Sequence, residues 1–252
     1  MKRARSARGS RVHPHEGAIT REQDPAAGKS GTLRAAIFGL NDGLVSNLSL
    51  IFGVAGSGVD RDVVVIAGIA GLLAGAFSMA AGEYISMRVQ REVFENLIHT
   101  EAHELATLPE EEHRELQEIY ERRGVEPATA SLIATELMRD PELALQTHAR
   151  EELGIDVEEG LGSPWGAAAS SFLMFAIGAF VPLLPFLVSS GAPAVVASAI
   201  LSGIALFGVG AAMSYLTGRP WLLSGSRMLA VGSAAAGVTF LVGKALDVGV
   251  LS

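Results

Sequence analysis

Six residues in one acidic stretch of this chain have the types and spacing to hold a metal ion: Glu101 with Glu104, Glu112 with Glu115, and His148 with Glu152. The members of the pairs are three, three and four residues apart, so on helices each pair projects from one face and can share an ion. Like charges at that separation repel and raise one another's pKa unless a cation neutralises them. Taken singly, each glutamate suits a solvated helix face, Glu110 to Glu112 suit a helix N-terminus through the macrodipole, and His148 suits a packing role. Three such pairs on one insert instead point to binding of a divalent cation. The chain has no Cys, so disulfide and thiolate chemistry are excluded and the ligands must be O, N or thioether S.

A second set lies in apolar surroundings. Asp42 stands in the stretch GLNDGLVSN, where an ionisable group costs roughly 2.5–3.5 kcal/mol if the stretch crosses a membrane. It must then face a cavity or a partner, or sit near the interface and bond to Asn41 and Ser46. Met79, Glu83 and Met87 follow one another at four-residue steps and form one stripe of a helix. Thioether and carboxylate on one face, opposite Asp42, would suit a borderline divalent ion. Met87 is the member best read as packing.

The elements that position these residues are helices, and most of them are apolar. Mean hydropathy is +0.37, with 49% hydrophobic and 18% charged residues, which is too apolar for an ordinary soluble domain. Residues 160–218 hold two spans of about 20 residues each, divided by Ser189-Ser190-Gly191-Ala192-Pro193. Three further spans are expected at about 35–59, 63–87 and 227–248. Gly71 and Gly75 make a small-xxx-small pair on the second, a sign of close helix contact within the chain or between copies.

The second span should run straight out of the membrane as an amphipathic helix through Tyr84, Met87, Phe94, Leu97 and Ile98. Thr107 and Glu110 read as a capping box opening a helix that Gly124 closes. Pro127 begins another, and Asp140-Pro141 a last one ending near Gly154. The expected organisation is a basic disordered tail over residues 1–31, spans one and two over 32–87, a helical metal-binding domain over 88–160, and spans three to five over 161–252. The fold class is all-α.

Charge is distributed unevenly. Residues 83–159 carry 20 acidic and seven basic side chains, a net of −13, against −8 for the whole chain. Nucleic acid is therefore excluded as a partner of the insert, while the basic tail suits anionic lipid. Of 19 Lys and Arg, 17 fall in the tail, the insert and the link between spans four and five, flanked by Arg219 and Arg227. Only Arg61 and Lys244 fall on the far side, so the positive-inside rule puts the N-terminus and the insert in the cytosol and the C-terminus outside. The tail lacks a signal peptide's apolar core. Gly28-Lys29-Ser30 lacks the strand and upstream glycine of a nucleotide-binding loop.

FGLNDGLVSNLSLIFGVAG, then FSMAAGEYISMRVQRE, then the acidic insert ending in HAREELGI, then GAFVPLLPF resemble, in order and spacing, the vacuolar iron transporter (VIT) family over about residues 32–250. The resemblance implies a five-helix membrane protein acting as a homodimer, with a path between subunits lined by helices one and two. It implies that members carry Fe²⁺, and often Mn²⁺ or other divalent ions, out of the cytosol in exchange for protons. The family's pore aspartate and methionine fall on Asp42 and Met79, its insert glutamates on Glu101, Glu104, Glu112 and Glu115, and its last carboxylate on Glu152. Where the plant members have a Met ligand, this chain has His148, whose imidazole also binds Fe²⁺, Mn²⁺ and Zn²⁺.

The expected function is thus proton-coupled export of Fe²⁺, with Mn²⁺, Co²⁺ and Zn²⁺ as further cargo, along Asp42, Met79 and Glu83, with no resident cofactor and no enzymatic step. Two rival readings are a membrane-anchored metal sensor or scaffold and a membrane di-iron oxidase. The oxidase needs two Glu-x-x-His motifs; Glu110 and His113 make one, but Leu145 occupies the matching place before His148. A composition rich in Ala, Gly and Arg favours a bacterial inner membrane.

Overall fold

The computed structural model describes residues 27–155 and 162–246, and these form eight helices. They are α1 (Ala27–Gly56), α2 (Arg61–Thr107), α3 (Pro109–Arg122), α4 (Pro127–Leu137), α5 (Pro141–Glu151), α6 (Pro164–Val188), α7 (Gly191–Thr217) and α8 (Trp221–Ala245). Among the described residues there is no strand, and five helices are long and apolar enough to cross a membrane. Residues 1–26 of the segment read as a tail lie outside the described residues, but Ala27 to Gly31 belong to α1, so the helix starts earlier than expected.

The five spans pack as a bundle with α1 at its centre, in contact with α2, α6, α7 and α8. The α1–α6 seam is closed by glycine. A Cβ at Gly43 would run into the Phe175 carbonyl, and one at Gly178 into the Leu40 carbonyl, so the two backbones touch with no side chain between them. Gly71 and Gly75 serve contacts within the chain: Gly71 faces Asn47 and Leu50 of α1, and Gly75 faces the Phe175 ring of α6.

Proline and arginine finish the bundle. Pro182 and Pro185 lie inside α6, and Ser198 of α7 donates to the Pro182 carbonyl at 2.7 Å. Arg61 donates to the carbonyls of Phe186 and Leu187, each at 2.5 Å, and so caps the C-terminus of α6 with a positive charge. Only Ser189 and Ser190 separate α6 from α7, because Gly191 takes φ +63° and starts the next helix at once. The last span begins at Trp221 rather than near 227, so Arg227 lies within α8 and not at its flank. Trp221, Leu222 and Leu223 follow Pro220 directly and supply apolar surface for one more turn.

One end of the bundle is ringed by aromatics. Tyr84 of α2 packs on Trp165 at the start of α6 with ring centroids 4.8 Å apart, and Trp221 packs on Phe207. Amphipathic rings of this kind sit at a membrane–water boundary. Beyond that boundary α2 continues unbroken. Its 47 residues make a rod about 70 Å long, and its distal part is one wall of the insert.

The other walls are α3, α4 and α5, each opened by proline at its first position. Asp140 caps α5 as expected, accepting from the Glu142 amide at 2.9 Å. The Thr107 capping box does not form. Thr107 donates to the His103 carbonyl at 2.8 Å as the last residue of α2, and Leu108 takes the cap position of α3 without a side-chain bond. The long helix thus keeps Thr107, since its hydroxyl finds an acceptor one turn back. Leu116, Ile119, Ala130, Ala134, Ala144, Ala149 and Ile155 are buried and form the small apolar interior of the insert.

Candidate metal centre

Helix α2 carries Glu101, α3 carries Glu112, and α5 carries His148 and Glu152 in its last turn and cap. One ligand atom from each of the four lies within 4.8 Å of all the others. The His148 Nδ1 is 3.0 Å from Glu101 Oε1, 3.5 Å from Glu112 Oε2 and 3.9 Å from Glu152 Oε2. His148 is fully buried, Glu101 and Glu112 are nearly so, and Glu152 stands at the rim. Despite the 3.0 Å approach, the imidazole and Glu101 are not aligned as a hydrogen bond, and Glu101 Oε1 and both ring nitrogens are buried with no hydrogen-bond partner. Buried polar atoms left in this way are costly unless something charged engages them.

Electrostatics points the same way. Burial pushes the Glu112 carboxyl up to about 7, with the charges of Glu101, Glu115 and Glu104 adding to the rise and His148 opposing it. Burial alone would lower His148, but the adjoining carboxylates of Glu101 and Glu152, with the charge of Glu112, raise it to about 9. The cluster therefore holds protons near neutrality. Three carboxylates and an imidazole around one point form a donor set for Fe²⁺, Mn²⁺ or Zn²⁺.

Glu104 and Glu115 stand outside this group. Both are close enough to raise Glu112, but Glu104 is half-buried and Glu115 exposed, and Glu115 lines a surface hollow with Arg122, Arg123, Glu151 and Glu152. Arg123 pairs with Glu151 in that hollow. His113 of the lone Glu-x-x-His motif turns away to Thr135, 2.9 Å from its hydroxyl.

In the bundle, Asp42, Ser46, Asn47 and Leu50 of α1 face Gly71, Gly75, Ser78 and Met79 of α2 across a cleft of about 250 Å³, with Phe175 of α6 at its wall. Asp42 and Met79 are therefore brought together. Ser46 donates to the backbone carbonyl of Asp42 at 2.5 Å and leaves the carboxylate free of that bond. Glu83 lies one turn beyond Met79, outside the cleft; its Oε2 is buried without a hydrogen-bond partner and is 4.0 Å from Arg34. Met87 is buried between Ala35 and Ala167, a packing residue as read from sequence. Eighteen residues of α2, about 27 Å, separate Glu83 from Glu101, so cleft and cluster are distinct sites on one rod.

The sequence profile of the VIT family matches residues 33–244. The chain belongs to the VIT family. Among its VIT relatives are vacuolar iron transporter 1 of Arabidopsis thaliana, 32% identical over 85% of this chain and 86% of the relative. A vacuolar iron transporter of Acanthamoeba castellanii is 38% identical over 86% of this chain and 79% of its own length. Vacuolar iron transporter homolog 1 of Oryza sativa is 35% identical over 84% and 72%. These relatives are named as transporters, not as enzymes, and with the five apolar helices they make this VIT chain an integral membrane protein.

Sequence reasoning passed over a buried polar residue of this VIT cleft. Asn47 is 2% exposed, its Nδ2 donates to the Ala179 carbonyl at 2.6 Å, and its Oδ1 has no donor. It lies five residues after Asp42, off the four-residue stripe through Ser46. Asking which polar side chains an apolar span must bury would have found it.

Proposed function

We propose that this chain exports a divalent transition metal from the cytosol in exchange for protons, with Fe²⁺ as principal cargo and Mn²⁺, Co²⁺ and Zn²⁺ as further cargo. The observation that carries the reading is the convergence of Glu101, Glu112, His148 and Glu152 on one point, at the far end of a helix whose membrane part presents Met79 to Asp42. The names of the relatives supply the ion, since each is called an iron transporter.

In this reading the insert faces the cytosol and collects metal in the four-residue cluster, with Glu104 and Glu115 drawing cations toward it. The ion passes to Glu83 and then to Met79 and Asp42. Each carboxylate is held by metal or by a proton and is never left bare, because an unpaired buried charge is costly. Protons entering from the far side displace the ion and are carried inward. Two copies assemble as a homodimer in the lipid, with the path between them, and the basic tail rests on anionic headgroups. The distribution of Lys and Arg supports this orientation in a bacterial inner membrane.

Proteoliposomes loaded with a metal-quenched dye test the assignment. The wild-type protein should quench the dye on addition of Fe²⁺ or Mn²⁺, and Asp42→Ala should reduce the rate to that of empty vesicles. An Asp42→Ala protein as fast as wild type defeats the path.

A further inference from the structure

The amide of Asn47 is fixed in orientation by chemistry. A backbone carbonyl can only accept, so the contact with Ala179, 2.6 Å, must be made by the Asn47 nitrogen. The oxygen is therefore turned away from α6. It is buried and has no donor, and Asn47 borders the same cleft as Asp42 and Met79. Across the cleft stands Gly71, where a Cβ would come within 2.3 Å of Leu50 Cδ2, the end of a flexible side chain that can swing aside, and within 2.7 Å of Asn47 Oδ1. A side chain at that position would crowd the oxygen.

We propose that Asn47 is a metal ligand of the cleft, its neutral amide oxygen binding the ion together with the Asp42 carboxylate and the Met79 thioether. The proposal rests on the transport reading and names a further residue of that path. Amide oxygen is a hard donor like carboxylate, but it brings no charge. Replacing a second carboxylate by an amide holds a divalent ion loosely enough to release it, and the oxygen takes no proton near neutrality. Asp42 is then the one group of the three at which proton and metal exchange.

The test uses full-length protein in dye-loaded proteoliposomes, with Mn²⁺ and Co²⁺ as the probes. Asn47→Ala should raise the half-saturating Mn²⁺ concentration by about tenfold, the scale for losing a group that supports a metal site. Asn47→Asp should lower that concentration and slow the maximal rate, because a second charge grips the ion. Gly71→Ala leaves the bond to Ala179 in place, so it carries the test even if Asn47→Ala fails to fold. It should raise half-saturation in an otherwise wild-type protein and add nothing to Asn47→Ala. Unchanged half-saturation in both Asn47→Ala and Gly71→Ala overturns the proposal, as does a fall in maximal rate alone, which marks Asn47 as a packing residue. Asp42→Ala in parallel separates the two readings. If Asp42→Ala is inactive while Asn47→Ala matches wild type, only the Asn47 assignment falls; if wild type carries no metal, both do.

Discussion

His148 of α5 and Glu101 of α2 meet with 3.0 Å between Nδ1 and Oε1, both side chains buried, joining the last helix of the insert to the rod that enters the membrane. On the proposed reading the contact serves two ends in one place. Protonated, His148 neutralises part of the carboxylate cluster; deprotonated, it offers a nitrogen to a metal. Its replacement by alanine should leave Glu101, Glu112 and Glu152 facing one another without a cation. His148→Ala should therefore lower the melting temperature of the metal-free protein and weaken metal binding roughly 10–100-fold. Thermal melts and calorimetric titration with Mn²⁺ check both. Wild-type affinity in the variant would remove His148 from the ligand set.

Glu112→Gln should separate stability from binding. The Glu112 carboxyl is raised to about 7 by burial and by Glu101, so above that pH the metal-free fold carries a buried charge it disfavours. Glutamine keeps the shape and removes the charge. At alkaline pH the variant should melt higher than wild type without metal, yet gain less from added Mn²⁺. A variant that melts lower without metal at that pH contradicts the electrostatic account of the cluster.

The pH dependence has a definite sign. Both shifted groups bind protons more tightly folded than unfolded: Glu112 moves from 4.5 to about 7 and His148 from 6.5 to about 9. Their contributions favour folding at low pH. The Glu112 part is lost as pH rises from 4.5 through about 7, and the His148 part from 6.5 through about 9. Metal binding displaces these protons, so affinity should rise over the same windows. Melts and titrations across that range, in buffers of different ionisation enthalpy, should show falling stability without metal and proton release on binding. Proton uptake on binding would reverse the assignment.

Gly43→Ala tests the seam between α1 and α6. Its methyl would run into the Phe175 carbonyl, backbone that cannot rotate aside, so the helices must part. A loss of about 1–3 kcal/mol is expected, read as a lower melting temperature in detergent. Gly82→Ala, where a Cβ meets open space, is the control and should be near neutral.

The sequence exposed what has a period or a punctuation mark. The five spans follow from apolar length, the unbroken α2 from a helical pattern that does not stop at Glu83, and the openings of α4 and α5 from Pro127 and Pro141. Spacing placed Glu101, Glu112, His148 and Glu152 on faces, but not on one point; their meeting depends on how α3 and α5 fold back on α2. Glu104 and Glu115 have the same local spacing as their neighbours, so spacing alone does not separate them from the group of four. Asn47 was hidden because its role depends on the Ala179 carbonyl, 132 residues away. Thr107 was misread since a hydroxyl near a helix boundary can bond backward as easily as forward.

The most direct measurement follows metal and protons in the same vesicles, with a metal-sensitive dye and a pH dye sealed inside. Adding Fe²⁺ or Mn²⁺ outside should bring metal in and make the interior alkaline as protons leave, and an imposed acidic interior should speed metal uptake. Asp42→Ala should abolish both signals. Metal uptake with no pH change, and no response to the imposed gradient, would contradict exchange at a shared carboxylate.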